Sequence, residues 1–222
     1  EDIFDLEAKD AVDGWVSASA AEQNRWISVT YGDGKFVAVA DTGTNRVMTS
    51  TDGVTWTGQS AAGGDQDWSE VIYANGKFVA VSGGNPVAMT STDGVNWTSH
   101  TTSATTANST WNSVTYGNGQ YVAVAESGTR RVMTSPDGVT WTGHSAGGVN
   151  TWYSVAYGNG TFVAVAAYGT SKVMTSTDGV NWTYRTAAAD YSWRTVTYGN
   201  GKFVALSSSG TNRVMTSPDG VT

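Results

Sequence analysis

Cysteine is absent from the 222 residues, and histidine occurs only at His100 and His144. The first absence excludes a disulfide framework and any thiolate-held metal, and the second leaves no histidine cluster to hold one. Charge is scarce as well, with 14% of residues Asp, Glu, Lys or Arg. Disordered chains show the reverse, high charge and few aromatics, whereas this one has 10 tryptophans and 10 tyrosines. No apolar run approaches the length of a membrane-spanning helix. Seven of the 19 acids (Glu1, Asp2, Asp5, Glu7, Asp10, Asp13 and Glu22) fall in the first 22 residues, so the body of a chain with net charge −7 is close to neutral. Such a body has no basic face to collect phosphates, which excludes nucleic acid as a natural partner, and sparse lysine argues against a membrane surface.

What is abundant is a repeat. A tryptophan opens each of five units, at Trp26, Trp68, Trp111, Trp152 and Trp193, spaced 42, 43, 41 and 41 residues apart. Each unit then has four β-type stretches bounded by turn residues, the count of a propeller blade. Asp33-Gly34, Asn75-Gly76, Asn118-Gly119, Asn159-Gly160 and Asn200-Gly201 join the first two stretches. These pairs tolerate the positive φ angles of a type I′ hairpin turn. The second stretch, as in Phe36-Val-Ala-Val-Ala40, is apolar without alternation, so both of its faces must be covered by neighbouring sheets. The expected fold is an all-β, five-bladed β-propeller with four antiparallel strands per blade.

The blades divide at about 26–67, 68–110, 111–151, 152–192 and 193–222, after an acidic segment at 1–12. The fifth unit runs through Asp219-Gly220-Val221-Thr222 without the tryptophan that follows elsewhere, while Trp15 precedes Trp26 by the eleven residues that also separate Trp141 from Trp152. This spacing predicts that residues 14–19 supply the last blade's fourth strand and so close the ring like a clasp.

Ser50-Thr51-Asp52-Gly53-Val54-Thr55-Trp56 and its repeats at Asp93, Asp137, Asp178 and Asp219 resemble the Asp-box, the hairpin motif of bacterial neuraminidase repeats, one residue short between Asp and Gly. The resemblance covers the chain from about residue 13. It implies a structural aspartate that bonds the turn's backbone amides, and a tryptophan that packs beneath. Enzymes, lectins, adhesins and assembly factors share such repeats, so it implies the fold far more than the function. Together with the Thr/Ser/Gly/Asn-rich composition it suggests an extracellular or cell-surface protein.

For function, the residues point to a non-enzymatic binding module rather than to catalysis, with no cofactor and no metal. One carboxylate per box is too few for calcium. The non-repeating acids Asp41, Asp65, Asp67, Glu70, Glu126 and Asp190 are the material for a glycoside hydrolase, but equivalent loop positions on different blades do not establish a carboxylate pair. Carbohydrate binding is the leading expectation, and it has two forms. Arg46, Arg131, Lys172 and Arg213 recur in the second loop and would give one weak site per blade junction. Tyr153, Tyr168, Tyr184 and Tyr191 stand outside the repeat and would give one dominant site near blades four and five, tyrosine being common at recognition hot spots. The alternative is a protein-interaction or scaffold propeller, natural or designed, without a small ligand. Oligomeric state is left open.

Overall fold

The structure, a computed structural model, describes residues 15–84, 87–101, 109–146 and 148–222, with the backbone alone at Val87. The acidic segment 1–12 and the loop residue Pro86 lie outside these residues. Among the described residues there is no helix, only strands and turns.

The innermost strands are β1 (Trp26–Gly32), β5 (Trp68–Ala74), β9 (Trp111–Gly117), β13 (Thr151–Gly158) and β17 (Trp193–Gly199). Each is followed by β2 (Lys35–Ala40), β6 (Lys77–Ser82), β10 (Gln120–Ala125), β14 (Thr161–Tyr168) or β18 (Lys202–Ser207). Third come β3 (Val47–Ser50), β7 (Val87–Ser91), β11 (Val132–Ser135), β15 (Val173–Ser176) and β19 (Val214–Ser217). The outer strands are β4 (Thr57–Gln59), β8 (Thr98–Thr101), β12 (Thr142–His144) and β16 (Thr183–Arg185). Neighbours in sequence are neighbours in each sheet, and every pairing is antiparallel. The result is five meander sheets, β1 packing on β5, β5 on β9, β9 on β13 and β13 on β17.

Local chemistry explains the turns. Asp33, Asn75, Asn118, Asn159 and Asn200 all have φ between 47° and 49°, each followed by a glycine near 75°, which is the I′ geometry their side chains tolerate. In the second hairpin the aspartate's Oδ1 accepts from two successive backbone amides, as Asp137 does from Val139 and Thr140 at 2.8 Å each. The box serine adds a bond to that carboxylate and accepts from the glycine amide. These donors favour the ionised form and hold the Asp137 carboxyl below its usual range. The box tryptophan's indole N–H then donates to the glycine carbonyl, as in Trp141 to Gly138 at 2.9 Å. Its ring lies 6.4 Å from Tyr121, and Trp56, Trp97 and Trp182 sit equivalently on Phe36, Phe78 and Phe162.

The core is divided among the blade junctions. Val37, Val39 and Val47 of blade one interdigitate with Trp68, Val71 and Met89 of blade two, and the same positions meet at the next three junctions. This is why β2-type strands are apolar on both faces. The junctions also carry polar ties. Ser28, Ser113 and Ser154 accept a bond from the next blade's Val71, Val155 and Val196 amides. On the hairpin side Lys35 and Lys77 reach the carbonyls of Asp93 and Asp137.

The expected closure is not present. The fifth sheet has three strands, β17-β18-β19, and residues 15–20 belong to no strand. Trp15 is fully exposed. The four junctions do not bring β17 back against β1, so the segment leading into β1 is not carried to the edge strand β19. Burial records the same gap at both ends. Val29 is 59% exposed where Val71, Val114, Val155 and Val196 are at most 6%; Leu206 is 47% exposed where Val39 is fully buried.

Candidate functional site

Every innermost strand begins with a bulge. Trp26 pairs with Ala40 and Ser28 with Val39, which leaves Ile27 without an opposite residue. Ser69, Asn112, Tyr153 and Arg194 are skipped in the same way. A bulge turns one side chain out of the pleat, and bulges concentrate beside functional sites for that reason. Here the turned-out residue differs in all five blades, although the strands around it read almost alike. The residue before the tryptophan varies nearly as much (Arg25, Asp67, Thr110, Thr151 and Ser192). So does the first residue after β2-type strands in blades one to three, Asp41, Gly83 and Glu126.

These variable positions converge. One recess of about 430 Å³ is lined by Arg25, Ile27 and Asp41 from blade one, Asp67 and Ser69 from blade two, Asn112 and Glu126 from blade three, and Tyr153 from blade four. It opens on the axial mouth, where the innermost strands begin, on the side away from the Asp-Gly and Asn-Gly hairpins. Arg25 grips Asp41 with a fork, Nε to Oδ1 at 2.8 Å and Nη2 to Oδ2 at 2.5 Å, and the carboxylate raises the guanidinium's pKa. Asp67 receives Arg46 Nη1 at 3.3 Å. Glu126, by contrast, receives only a long 3.4 Å contact from Asn112 Nδ2 among the described residues. Arg194 stacks over the Tyr153 ring, 4.1 Å from its centroid, so that aromatic face already accepts a guanidinium.

The cations singled out from sequence are placed elsewhere and are largely occupied. Arg46 donates to the carbonyls of Gly43, Asp41 and Gln66, tying its own loop to the connection that enters blade two. Arg131 does the same with Gly128, Val149 and Asn150, and burial lowers its pKa. Lys172 is ion-paired with Asp190 at 2.6 Å. Arg213 has the intraloop bond, to Gly210 at 2.9 Å. The four tyrosines do not converge. Tyr184 stacks on Trp152 at 6.1 Å and 20°, Tyr191 packs on Trp193 at 6.0 Å and bonds Thr211, and Tyr168 stands exposed. Of these eight residues Tyr153 alone lines the recess.

The residues that sequence reasoning passed over are Arg25, Ile27, Ser69 and Asn112. The signal was available: aligned by the opening tryptophan, the column after it differs in every blade and the column before it repeats only as Thr110 and Thr151. Chemically the recess offers hydroxyl, amide and carboxylate groups, with one carboxylate that no cation neutralises among the described residues. Among the described residues no three His, Cys, Asp or Glu side chains gather as a metal site.

No family model matches the chain, and no curated protein does. Solved structures match its fold. Virginiamycin B lyase from Staphylococcus aureus superposes with a TM-score of 0.72 over 88% of this chain and 70% of its own, at 13% identity. YCF48 bound to D1 peptide gives 0.65 over 89% and 67%, at 16% identity. The nidogen/laminin complex gives 0.64 over 87% and 75%, at 11% identity. All are β-propellers, so the chain has a propeller architecture of repeated antiparallel sheets.

Proposed function

We propose that this chain is a non-enzymatic interaction propeller whose axial recess receives an extended peptide or protein loop presenting a basic side chain. One observation carries the reading: along strands whose other columns change little, the bulge residues vary blade by blade, and those of blades one to four line a single recess with their neighbours. Packing explains invariance of the framework, and variation on a rigid scaffold is where recognition resides. The chemistry names the ligand class. Among the described residues Glu126 lacks a cation, and Asp67 is exposed beside Arg46, a combination that suits a lysine or arginine of the partner. Among fold neighbours, a propeller bound to a peptide and one in a protein–protein complex support protein over sugar. The repeat's likeness to Asp-boxes is part of this reading, as a hairpin framework and not as a catalytic signature.

Selection of a random peptide library against the purified protein tests it. The enriched peptides are expected to share a lysine or arginine, and Glu126→Gln with Tyr153→Ala should weaken their binding about tenfold or more. Absence of enrichment, or enrichment indifferent to both changes, would sink the reading. Glycan-array binding lost in the same double variant would restore the carbohydrate alternative.

A further inference from the structure

The box hairpins differ at one position, and that position decides how their aspartate is covered. In blades two and four the residue before the box tryptophan is Asn96 or Asn181. Its Nδ2 donates to the second carboxylate oxygen, Oδ2, of Asp93 or Asp178 at 2.8 Å. In blade one that residue is Thr55, which carries no amide to do so. The bonds that fix the Asp52 carboxylate, from the Ser50 hydroxyl and the Val54 and Thr55 amides, all end on Oδ1. The Thr55 hydroxyl is the weakest of the groups that hold this carboxyl below its usual range. Oδ2 of Asp52 therefore keeps the capacity that an asparagine takes up in blades two and four.

The space beside the carboxylate differs accordingly. Blade one has a groove of about 460 Å³, walled by Lys35, Thr49, Asp52, Thr55 and Thr57, with Val95 of blade two opposite. The equivalent groove of blade two is about 160 Å³, and Asn96 is in its wall where Asp93 is not. Small-molecule sites span about 300–1,000 Å³, so the first has the room and the second lacks it. Each groove has a lysine in the same pose, Lys35 donating to the Asp93 carbonyl at 2.8 Å and Lys77 to the Asp137 carbonyl at 3.0 Å. An ammonium has three donors, and among the described residues Lys35 uses one.

We propose that the blade-one groove binds a single neutral pyranose ring, free or at the end of a glycan. The charges select the ligand. An anion in the groove would meet Asp52 and a cation would meet Lys35, whereas a neutral, hydroxyl-rich ligand opposes neither. A sugar hydroxyl both donates and accepts, which matches the lining: Asp52 Oδ2 only accepts, Lys35 only donates, and Thr55 and Thr57 do both. Bonds to the two ionised groups are the stronger ones and would fix the ring's orientation. Val95, 40% exposed, gives the C–H face of the ring an apolar contact. The groove lies on the hairpin side of the sheets, opposite the mouth of the axial recess, so the two sites act independently.

Blades two and four supply the test. Replacing Asp52 itself would undo the turn it bonds, so the informative variant is Thr55→Asn, which gives Asp52 the amide those blades carry. In calorimetric titration the wild type is expected to bind at least one of glucose, galactose, mannose and N-acetylglucosamine at one site. Signal for the same terminal sugar on a glycan array assigns the groove to glycan ends, and titration without array signal assigns it to free sugars. Thr55→Asn should weaken binding about tenfold or more with unchanged melting, and Lys35→Met should weaken it as well. Asn96→Thr frees Asp93 and should add a second site of the same preference. Glu126→Gln with Tyr153→Ala, which alters only the recess, should leave sugar binding as it was. A wild type that binds none of the four sugars at tens of millimolar overturns the proposal. So does binding that Thr55→Asn leaves intact, or that the recess variant abolishes.

Discussion

Replacing Trp152 with alanine is expected to cost about 3–5 kcal/mol, among the largest effects of any single change in this molecule. The ring is fully buried between blades three and four, packed with Val122 and Val124 on one side and Ala166 and Met174 on the other. Tyr184 stacks against it and would lose that face. A domain with a net stability of about 5–15 kcal/mol would be left marginal. The informative comparison is Trp26→Ala. Trp26 occupies the same repeat position and bulge register, but no blade precedes it, and its side chain is only partly buried. Its removal should therefore cost about half as much or less, because the transfer and cavity contributions scale with what surrounds the ring. Urea unfolding of both variants measures the difference. Equal losses would mean that burial within a blade, not between blades, holds these tryptophans, and the account of the core given above would be wrong.

How much of this was legible in the sequence depends on the distance over which each residue acts. Asn118-Gly119 and Ser135 to Trp141 specify their turns from neighbours within a few positions, and both hairpins have the expected geometry. The two-sided apolarity of β10 likewise forecast a sheet on each flank, and both are there. Closure was not legible. The eleven-residue step from Trp15 to Trp26 shows that residues 15–19 are in register for a fourth strand, but not whose sheet they join. That depends on the angle between successive blades, which is set by side-chain packing across each junction and leaves no mark on repeat spacing. The candidate site was half legible. Asp41, Asp67 and Glu126 were visible as departures from the repeat, and Tyr153 as a tyrosine outside it. The bulge that brings Ile27, Ser69, Asn112 and Tyr153 to one recess is a two-strand property. The partners of Arg46 and Arg131 were not legible either, since they are carbonyls about twenty residues onward in a neighbouring loop.

Glu70 was visible as an acid in a column of Ser and Thr, and its buried position makes it a pH-dependent element near neutrality. It replaces the serine of other junctions as acceptor for the next blade's amide, Oε2 receiving Val114 N–H at 2.5 Å. Burial outweighs that bond and the one from Ser113, and pushes its pKa from 4.5 up to about 7. The folded state therefore holds this proton more tightly than the unfolded chain does. Its contribution to stability is greatest below the unfolded value, declines as pH rises between the two values, and levels off above about pH 7. A shift of that size corresponds to about 3 kcal/mol. Other groups titrate in the opposite sense, since the box aspartates are held below their usual range and weaken the fold only in acid. Comparison with Glu70→Ser, the residue found at three other junctions, cancels them. Relative to the wild type, the serine variant should gain about 3 kcal/mol on going from about pH 4 to pH 8, with Glu70→Gln showing the same slope at preserved volume. Chemical denaturation across that range reads the result directly. Parallel stability curves for wild type and both variants would show that Glu70 ionises as freely in the fold as outside it. The junction between blades two and three would then have to admit water.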